Sequence, residues 1–226
     1  MTGSVIVTGG ASGLGAAIVS AVREAGGTPY VLDLKPPAED VPYVAVDLSD
    51  TRAAERATEQ LIEQAGTITG VVTAAGMDIP APLSGISGAD WERIVAINLF
   101  GTAAVVRAAL PALKRSHGSI VTVASTLGIK AVGDATAYCA SKFGVVGFTR
   151  ALAAELSGEV NVTLLIPGGM KTAFFDTRDD KYKPGPDAPL NDPANTARAV
   201  MFALSQPPGC SVREMIVCSE VESSYP

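Results

Sequence analysis

Tyr138 and Lys142 place a phenol and an ammonium group four residues apart. If this segment is helical, the two side chains lie on one face of the helix, about one turn apart. A free tyrosine has a pKa of about 10 and is a poor base near neutral pH, but a nearby positive charge favours the phenolate and lowers that pKa. Tyr138 is therefore a candidate acid/base that takes a proton from an alcohol or gives one to a carbonyl. The spacing by itself also fits a half-buried packing tyrosine.

Two polar residues in apolar surroundings accompany this pair. Ser125 follows the apolar run 120–124, and Asn98 lies within an otherwise apolar helical run. A buried asparagine is costly unless it is hydrogen-bonded, which indicates a polar task. The structural alternatives are a helix-to-helix hydrogen bond for Asn98 and a strand-end turn for Ser125.

A glycine-rich turn follows the first strand-like run. It contains Gly9, Gly13 and Gly15 with the spacing G-x-x-x-G-x-G, and Ser12 and Leu14 complete it at the start of a predicted helix. Glycine allows a sharp bend and the close approach of a pyrophosphate, while the helix N-terminus offers free N–H groups and a positive dipole end. The turn predicts dinucleotide binding, with simple chain reversal as the alternative.

Carboxylates follow the next two predicted strands. Asp33 can accept the ribose hydroxyls of an adenosine and repels a 2′-phosphate, which favours NAD over NADP, although Lys35 weakens the preference. A solvated strand-end aspartate is the alternative. Asp47 can reach the adenine amino group while Leu48 packs on the ring, or these residues belong to the N-cap region of the next helix.

Short β-branched runs alternate with longer Ala-rich runs of helical period along the chain. Apolar strands without alternation predict an α/β fold, a doubly wound parallel sheet with helices on both faces. We expect one domain over residues 1–226, with a lid around 173–192 where Asp, Lys, Pro and Gly are frequent. The predicted strands cover residues 5–8, 28–32, 43–46, 70–73, 119–124, 160–166 and 214–217. The predicted helices cover about 13–25, 50–64, 89–114, 138–156 and 193–204.

Composition excludes several classes of function. The 226 residues are 47 % apolar and carry a net charge of −6 without a basic cluster, which argues against nucleic-acid binding. Three cysteines indicate a reducing compartment, and a single histidine argues against a metal site and Ser-His-Asp hydrolysis. The apolar run 94–113 contains Asn98, Arg107 and Pro111, so we interpret it as a buried helix and expect no membrane partner. Without an export signal, the protein is expected to be soluble and cytoplasmic.

Together these residues resemble the short-chain dehydrogenase/reductase family over about residues 5–172. Ala75 and Gly76 after the fourth strand, and the segment 167–172, complete the resemblance. The family implies a Rossmann-type fold, a nicotinamide cofactor, a small alcohol or ketone substrate, and a homodimer or homotetramer.

The resemblance also implies roles for the polar residues. Tyr138 would be the acid/base, and Lys142 would lower its pKa and bind the nicotinamide ribose. Ser125 would hydrogen-bond the substrate oxygen. Asn98 would hold a water molecule that links Lys142 to bulk solvent.

Two further segments carry expectations from the family. Residues 167–172, with Pro167 and Gly168 at their start, would lie under the nicotinamide, and Thr172 would lie near its carboxamide. The chain departs from the family pattern at Ala74, where an asparagine that braces the sheet is usual, and its C-terminus lacks the frequent Asp-Gly-Gly ending.

We therefore expect an NAD(H)-dependent oxidoreductase that interconverts a secondary alcohol and a ketone. The alternative is a non-catalytic dinucleotide-binding regulatory or scaffold protein, which would lack a catalytic residue. Phe174, Phe175 and Tyr182 of the lid predict a mostly apolar substrate pocket. The helices that contain Asn98 and Tyr138 are rich in Ala and Val around much of their circumference, which predicts that a partner subunit covers one of their faces.

Overall fold

The computed structural model describes residues 3–225, in which the central feature is a seven-stranded, all-parallel β-sheet with the order β3-β2-β1-β4-β5-β6-β7. The chain winds outward from β1 to β3, then crosses to β4 and winds outward to β7. Between β1 and β4 the direction reverses, which opens the crevice where sheets of this kind bind ligands. The predicted doubly wound Rossmann-type sheet is confirmed. The strands are β1 Ser4–Thr8, β2 Thr28–Asp33, β3 Tyr43–Ala45, β4 Gly70–Thr73, β5 Ser119–Val123, β6 Asn161–Pro167 and β7 Glu214–Val217.

Six α-helices connect these strands within residues 3–225. They are α1 Gly13–Glu24, α2 Thr51–Ala65, α3 Gly88–Val95, α4 Thr102–Ser116, α5 Thr136–Glu155 and α6 Pro193–Leu204. A π-helical segment, Ala96–Gly101, joins α3 to α4 and interrupts the single helix predicted over 89–114. A π-turn adds one residue to a turn of helix without changing which residues are apolar, so hydrophobic periodicity does not show it.

The apolar side chains of the strands fill two core layers, one on each face of the sheet. Ile6 packs in one layer with α2 and α4, whereas Val5 and Val7 pack in the other layer with α1 and α6. Successive residues of a strand point to opposite faces, so a strand that is covered on both sides must be apolar throughout. This explains why the strands show continuous apolar runs.

The helical run Gly88–Ser116 is long and apolar enough to cross a bilayer by length and composition. Core helices of soluble proteins meet the same criteria, and 44 % of its apolar window is buried inside this fold. Val105 and Ala109 are fully buried in the core layer beside the sheet, and Asn98 is fully buried and hydrogen-bonded. Within the fold the run packs as a core helix.

The segment between β6 and α6 forms a closed loop. Gly169 and Lys171 exchange backbone hydrogen bonds with Asn191, at 2.9 and 2.8 Å, so the two ends of the loop lie side by side. Between them are two 3₁₀ turns, Ala173–Phe175 and Asp180–Tyr182. The Tyr182 hydroxyl donates to Asp134 Oδ2 at 2.7 Å, which ties the loop to the segment before α5.

Candidate active site

The predicted site residues follow the carboxyl ends of the strands. Gly9 follows β1, Gly76 lies beyond β4, Ser125 follows β5 and Gly168 follows β6. Because all strands are parallel, these positions share one edge of the sheet, around the reversal between β1 and β4. The topology therefore brings together residues that are far apart in the sequence.

The glycine turn has backbone requirements that other residues do not meet. Gly9 and Gly13 have positive φ angles, of 72° and 52°. A Cβ on Gly15 would collide with the carbonyl oxygen of Gly9, so the turn closes tightly at the start of α1. Ser12 stands at the N-cap but its side chain makes no capping hydrogen bond. The first N–H groups of α1 therefore receive no side-chain cap from Ser12, and N–H groups at a helix N-terminus can bind an anion such as a pyrophosphate.

Asp33 is joined to the glycine turn. Its Oδ2 accepts from the N–H of Ala11 at 3.0 Å, and its Oδ1 accepts from the N–H of Lys35 at 3.0 Å. Both hydrogen bonds hold the carboxylate at the end of β2, beside the turn that Leu14 anchors in the core. This position fits a carboxylate that receives the ribose hydroxyls of an adenosine.

Asp47 has a different local role from the N-cap considered in the sequence. Asp50 caps α2, accepting from the N–H groups of Arg52 and Ala53 at 3.0 and 2.9 Å. Asp47 accepts from Ser49 and from the Arg93 guanidinium, the latter at 2.9 Å. Partial burial acts to raise the pKa of Asp47, but these hydrogen bonds outweigh it and hold the pKa below its ordinary value.

The side chain of Leu48, beside Asp47, is buried in the core layer shared by α2 and α4. Gly101, at the end of the π-helical segment, approaches it so closely that a Cβ there would lie 2.8 Å from the carbonyl oxygen of Leu48. The π-helical segment and the loop after β3 are therefore in direct contact at the rim of the crevice.

Tyr138 and Lys142 lie on one face of α5, in its first two turns, and are 9 % and 4 % exposed. Lys142 Nζ donates to the carbonyl oxygen of Val123 at 2.9 Å and lies 5.7 Å from the centre of the Tyr138 ring. Burial, which penalises the charged amine, lowers the pKa of Lys142 to about 8.

The pKa of Tyr138 differs from the sequence-based expectation. Burial raises it to about 12, and the Ser125 hydroxyl acts in the opposite direction but more weakly. The effect of burial thus dominates, because a buried site disfavours the charged phenolate. That Lys142 lowers this pKa stays a prediction for the site with its dinucleotide bound.

Asn98 is fully buried in the π-helical segment, and its side-chain amide forms hydrogen bonds with two other segments of the chain. Its Oδ1 accepts from the N–H of Met77 at 2.8 Å, and its Nδ2 donates to the carbonyl oxygen of Met77 at 2.9 Å and to Ser141 Oγ at 3.0 Å. A Cβ on Gly76 would lie 3.4 Å from Asn98 Oδ1 and 3.6 Å from Lys142 Nζ. The loop after β4 thus passes between Asn98 and Lys142.

Two further predicted positions lie close to the phenol and to the glycine turn. Ser125 Oγ accepts from the N–H of Leu127 at 3.1 Å, so it is a turn residue as well as a neighbour of Tyr138. The Thr172 side chain lies 3.5 Å from where a Cβ on Gly13 would stand. The segment after β6 therefore runs back across the glycine turn.

Hydrogen bonds to neighbouring parts of the chain hold the loop after β4 and the segment after β6 in place. Ala75 donates its N–H to Thr8 Oγ1 at 3.0 Å, which links the ends of β1 and β4 although Ala74 has no side chain that can do so. Gly168, next to Pro167, donates to the carbonyl oxygen of Val217 at 3.0 Å. Gly169 donates to Glu222 Oε2 of the C-terminal segment at 2.9 Å.

Sequence reasoning missed an ion pair beside the phenol. Arg178, in the segment between β6 and α6, donates to Asp78 Oδ2 at 2.9 Å, and the two side chains are 13 % and 4 % exposed. The guanidinium lies 5.1 Å from the centre of the Phe174 ring, which is itself 6.0 Å from the Tyr138 ring. The pair joins residues one hundred positions apart, and nothing local in the sequence predicts such a contact.

Comparison with known proteins agrees with this geometry. A family model described as short chain dehydrogenase matches residues 4–183. The chain therefore belongs to the short-chain dehydrogenase family. It is thereby an oxidoreductase of a family that binds an NAD(P) dinucleotide, and the resemblance inferred from the sequence is confirmed.

Individual relatives cover most of the chain. A short-chain dehydrogenase/reductase ABA4 of Pyricularia oryzae is 33 % identical over 206 residues, 83 % of this chain and 76 % of the relative. D-threitol dehydrogenase of Mycolicibacterium smegmatis is 37 % identical over 178 residues, 72 % of this chain and 68 % of the relative. The crystal structure of an alcohol dehydrogenase from Thermococcus sibiricus, complexed with 5-hydroxy-NADP, superposes with a TM-score of 0.86 at 22 % identity and covers 98 % of both chains.

Proposed function

We propose that this protein is an NAD(H)-dependent oxidoreductase that interconverts a secondary alcohol and a ketone, with Tyr138 as the acid/base. The observation that carries the proposal is the meeting of the Tyr138 phenol, the Ser125 hydroxyl and the Lys142 amine at the crevice edge of the sheet, next to the glycine turn. The similarity to a D-threitol dehydrogenase supports an alcohol as the substrate.

The residues that would hold the dinucleotide form a continuous path along this edge. The turn containing Gly9, Gly13 and Gly15 would hold the pyrophosphate at the N-terminus of α1, and Asp33 would accept from the adenosine ribose. When bound, the nicotinamide ring supplies the acceptor or donor of the hydride. The other residues that would contact the dinucleotide are Ser12, Leu14, Asp47, Leu48, Ala75, Gly76, Tyr138, Lys142, Pro167, Gly168 and Thr172.

In the direction of oxidation, Tyr138 has to act as the phenolate, which the positive charges of Lys142 and of an oxidised nicotinamide would favour against the effect of burial. Its Oη then takes the proton of the substrate hydroxyl as the hydride leaves carbon. Ser125 Oγ donates a hydrogen bond to the same substrate oxygen and holds it in line with the phenol. Because the pKa of Lys142 is lowered to about 8, its amine can accept or release a proton near neutral pH. Lys142 would also bind the nicotinamide ribose, and Asn98 would hold the water molecule that links the amine to solvent.

The proposed preference is for NAD over NADP. Asp33 presents a carboxylate where a 2′-phosphate would lie, and the glycine turn contains no Arg or Lys that would offset the repulsion. The related structure that contains an NADP analogue makes this preference a point to measure. We expect kcat/KM to be higher with NAD than with NADP for the same alcohol.

A substrate panel read by NADH absorbance tests the proposal. Replacement of Tyr138 by Phe is expected to lower kcat/KM by about 10²–10⁴-fold, the usual contribution of an acid/base, and to leave NADH binding nearly unchanged. Tyr30→Phe, which alters a buried tyrosine of β2 in the core, is the matched control. Full activity of Tyr138→Phe would refute the proposal. Dinucleotide binding without turnover in the wild type would favour a regulatory or scaffold protein.

We further propose a cytoplasmic homodimer or homotetramer of single-domain subunits in which residues 173–192 form a substrate lid. Phe100 of the π-helical segment and Phe143 of α5 are 54 % and 45 % exposed, and Ala151 and Ala154 continue the exposed apolar surface of α5. A second subunit would cover this surface. Light scattering at micromolar concentration tests the assembly, and a monomer would refute it.

A further inference from the structure

The ion pair of Asp78 and Arg178 lies between the loop after β4 and the lid, and it is not fully satisfied. Among residues 3–225, Asp78 Oδ1 and Arg178 Nε have no hydrogen-bond partner of ordinary geometry, although both atoms are buried, and the N–H of Ile79 also acts on the Asp78 carboxylate. Buried polar atoms are nearly always hydrogen-bonded, and those that are not need an explanation. The ion pair thus contains one acceptor atom and one donor atom that are left without a well-formed hydrogen bond.

The pair is close to the proposed reaction centre. The Arg178 guanidinium stacks on Phe174, at 5.1 Å, and on Phe175, at 4.7 Å, and Phe174 packs against the ring of Tyr138. The charges of Asp78 and Arg178 also act on the Tyr138 phenol in opposite directions. One aromatic ring therefore separates the pair from the group that would move the proton.

The chemistry of the two free atoms selects among substrates. A carboxylate or phosphate on the substrate would be attracted by Arg178 and repelled by Asp78, so it would gain little from the pair as a whole, and an apolar group would leave both buried atoms without partners. A hydroxyl group both donates and accepts, so it can donate to Asp78 Oδ1 and accept from Arg178 Nε. Because the charges of Asp78 and Arg178 cancel, the pair suits a ligand without net charge.

We propose that Asp78 and Arg178 are specificity-determining residues that bind a second hydroxyl of the substrate, so that the enzyme acts on vicinal diols and polyols and on the corresponding hydroxyketones. This inference rests on the proposed function. It would replace the mostly apolar pocket expected from Phe174 and Phe175, because both rings stack on the Arg178 guanidinium. In diol oxidation one hydroxyl gives its proton to Tyr138 Oη and its carbon gives a hydride to NAD, while the second hydroxyl remains unchanged.

Matched substrate pairs test this proposal. Each pair consists of a vicinal diol and the mono-alcohol of the same carbon skeleton, for example 2,3-butanediol with 2-butanol and 1,2-cyclohexanediol with cyclohexanol. The wild type is expected to prefer the diol in kcat/KM by about a hundredfold or more, since a site built to hydrogen-bond a hydroxyl strongly rejects the analogue that lacks it. Equal or inverted preference in every pair would overturn the inference while leaving the proposed function intact.

The variants separate substrate recognition from a purely structural role. The double variant Asp78→Leu/Arg178→Met removes both charges together, so no single buried charge is left behind. We expect the ratio of kcat/KM for the diol to kcat/KM for the mono-alcohol to fall from about a hundred to about one, because the diol loses more activity than the mono-alcohol. If the pair only anchors the lid, the double variant will lower both activities equally, which overturns the inference.

Asp78→Asn provides a second variant that keeps the size of the side chain. It is expected to reduce the diol preference partially, because an amide retains an acceptor oxygen but loses the charge that holds Arg178. Arg150→Met is the control, since it removes an ion pair with Glu214 on the exposed surface of α5 and β7. Thermal melting and NADH fluorescence confirm folding in each case. Absence of turnover for every alcohol and ketone, in the wild type as well, would instead refute the proposed function.

Discussion

The two sides of the crevice are built from different kinds of contact. On the side that we assign to the dinucleotide, made by the loops after β1, β2 and β3, positive φ angles and a backbone-to-carboxylate hydrogen bond fix the glycine turn against Asp33. On the side that we assign to the substrate, made by residues 77–86 and the proposed lid, side chains distant in sequence meet, as in the pairs Asp78–Arg178 and Tyr182–Asp134. We call these the cofactor side and the substrate side. Exchange of such side chains can change the substrate without disturbing the backbone that holds the dinucleotide. Family membership therefore says more about the cofactor than about the substrate.

The substitution with the largest expected effect disturbs the backbone of the glycine turn on the cofactor side. Gly15→Ala introduces a Cβ that collides with the carbonyl oxygen of Gly9, which is backbone and has no freedom to rotate away. We expect the Kd for NADH to rise by about a hundredfold, or ~2.7 kcal/mol, within the range of ~1–3 kcal/mol that overpacking costs. Fluorescence titration with NADH measures it.

Gly88→Ala is the matched control for this substitution. Gly88 begins α3 with an ordinary φ angle, and a Cβ added there would meet nothing within 4 Å. Its replacement should leave the Kd for NADH unchanged. If Gly15→Ala binds NADH as the wild type does, the tight turn is not what holds the dinucleotide, and the contrast between the two sides of the crevice fails.

The two sides of the crevice also differ in how much of each could be predicted from the sequence. The strands and the glycine turn depend on local properties, such as continuous apolar runs and glycine where φ is positive, and their predicted bounds agree with the structure to within about two residues. Asp33 was recognisable because a carboxylate at a strand end has a fixed place in a parallel sheet. Asp50 is the N-cap of α2, which begins one residue later than predicted, and Asp47 lies three residues before it.

The remaining features of the site depend on tertiary packing. The π-helical turn around Asn98 has the same apolar pattern as an ordinary helix, and the hydrogen bonds between the Asn98 side chain and Met77 and Ser141 form only in the folded chain. The pKa of Tyr138 follows from how deeply α5 is buried, which residue spacing does not reveal. The ion pair of Asp78 and Arg178 forms only when the segment between β6 and α6 packs against the loop after β4, so the sequence does not show it.

A second prediction concerns Lys142, which lies between the two sides. Its pKa is about 8 in the folded protein and 10.5 ordinarily, so from pH 8 to 10.5 the unfolded chain binds more protons than the folded one. The free energy of unfolding should therefore rise over this interval, by about 2 kcal/mol between pH 7 and pH 9.5. Lys142→Met should abolish this rise, as measured by urea denaturation at the two pH values.

Lys114→Met serves as the control for the pH experiment, because Lys114 is exposed and pairs with Glu159 on the surface. This variant should keep the pH dependence of the wild type. Tyr138, with its pKa raised to about 12, acts in the opposite direction only above about pH 10, where the unfolded chain loses its phenol proton first. The same rise in Lys142→Met as in the wild type would show that the buried amine keeps its proton, and the proposed proton exchange through it would fail.

The smallest expected effect concerns Glu222, which connects the C-terminal segment to the crevice. Its Oε2 accepts from the N–H of Gly169, while its Oε1 accepts from the backbone and hydroxyl of Ser224. Burial acts to raise the pKa of Glu222, but these hydrogen bonds outweigh it and hold the pKa below its ordinary value. The carboxylate thus stays charged and positions the segment after β6, which we assign to the nicotinamide.

Glu222→Gln keeps one acceptor oxygen for Gly169 and loses both the charge and the second acceptor for Ser224. We expect the Kd for NADH to rise about threefold, or ~0.7 kcal/mol, with little change in the free energy of unfolding. Glu220→Gln, an exposed carboxylate in the same segment, should bind NADH as the wild type does. The contact joins the C-terminal segment to the backbone N–H of Gly169. A measurable effect of Glu222→Gln on NADH binding would therefore show that backbone contacts outside the loops after β1, β2 and β3 also hold the dinucleotide. Equal binding by both variants would restrict it to those loops.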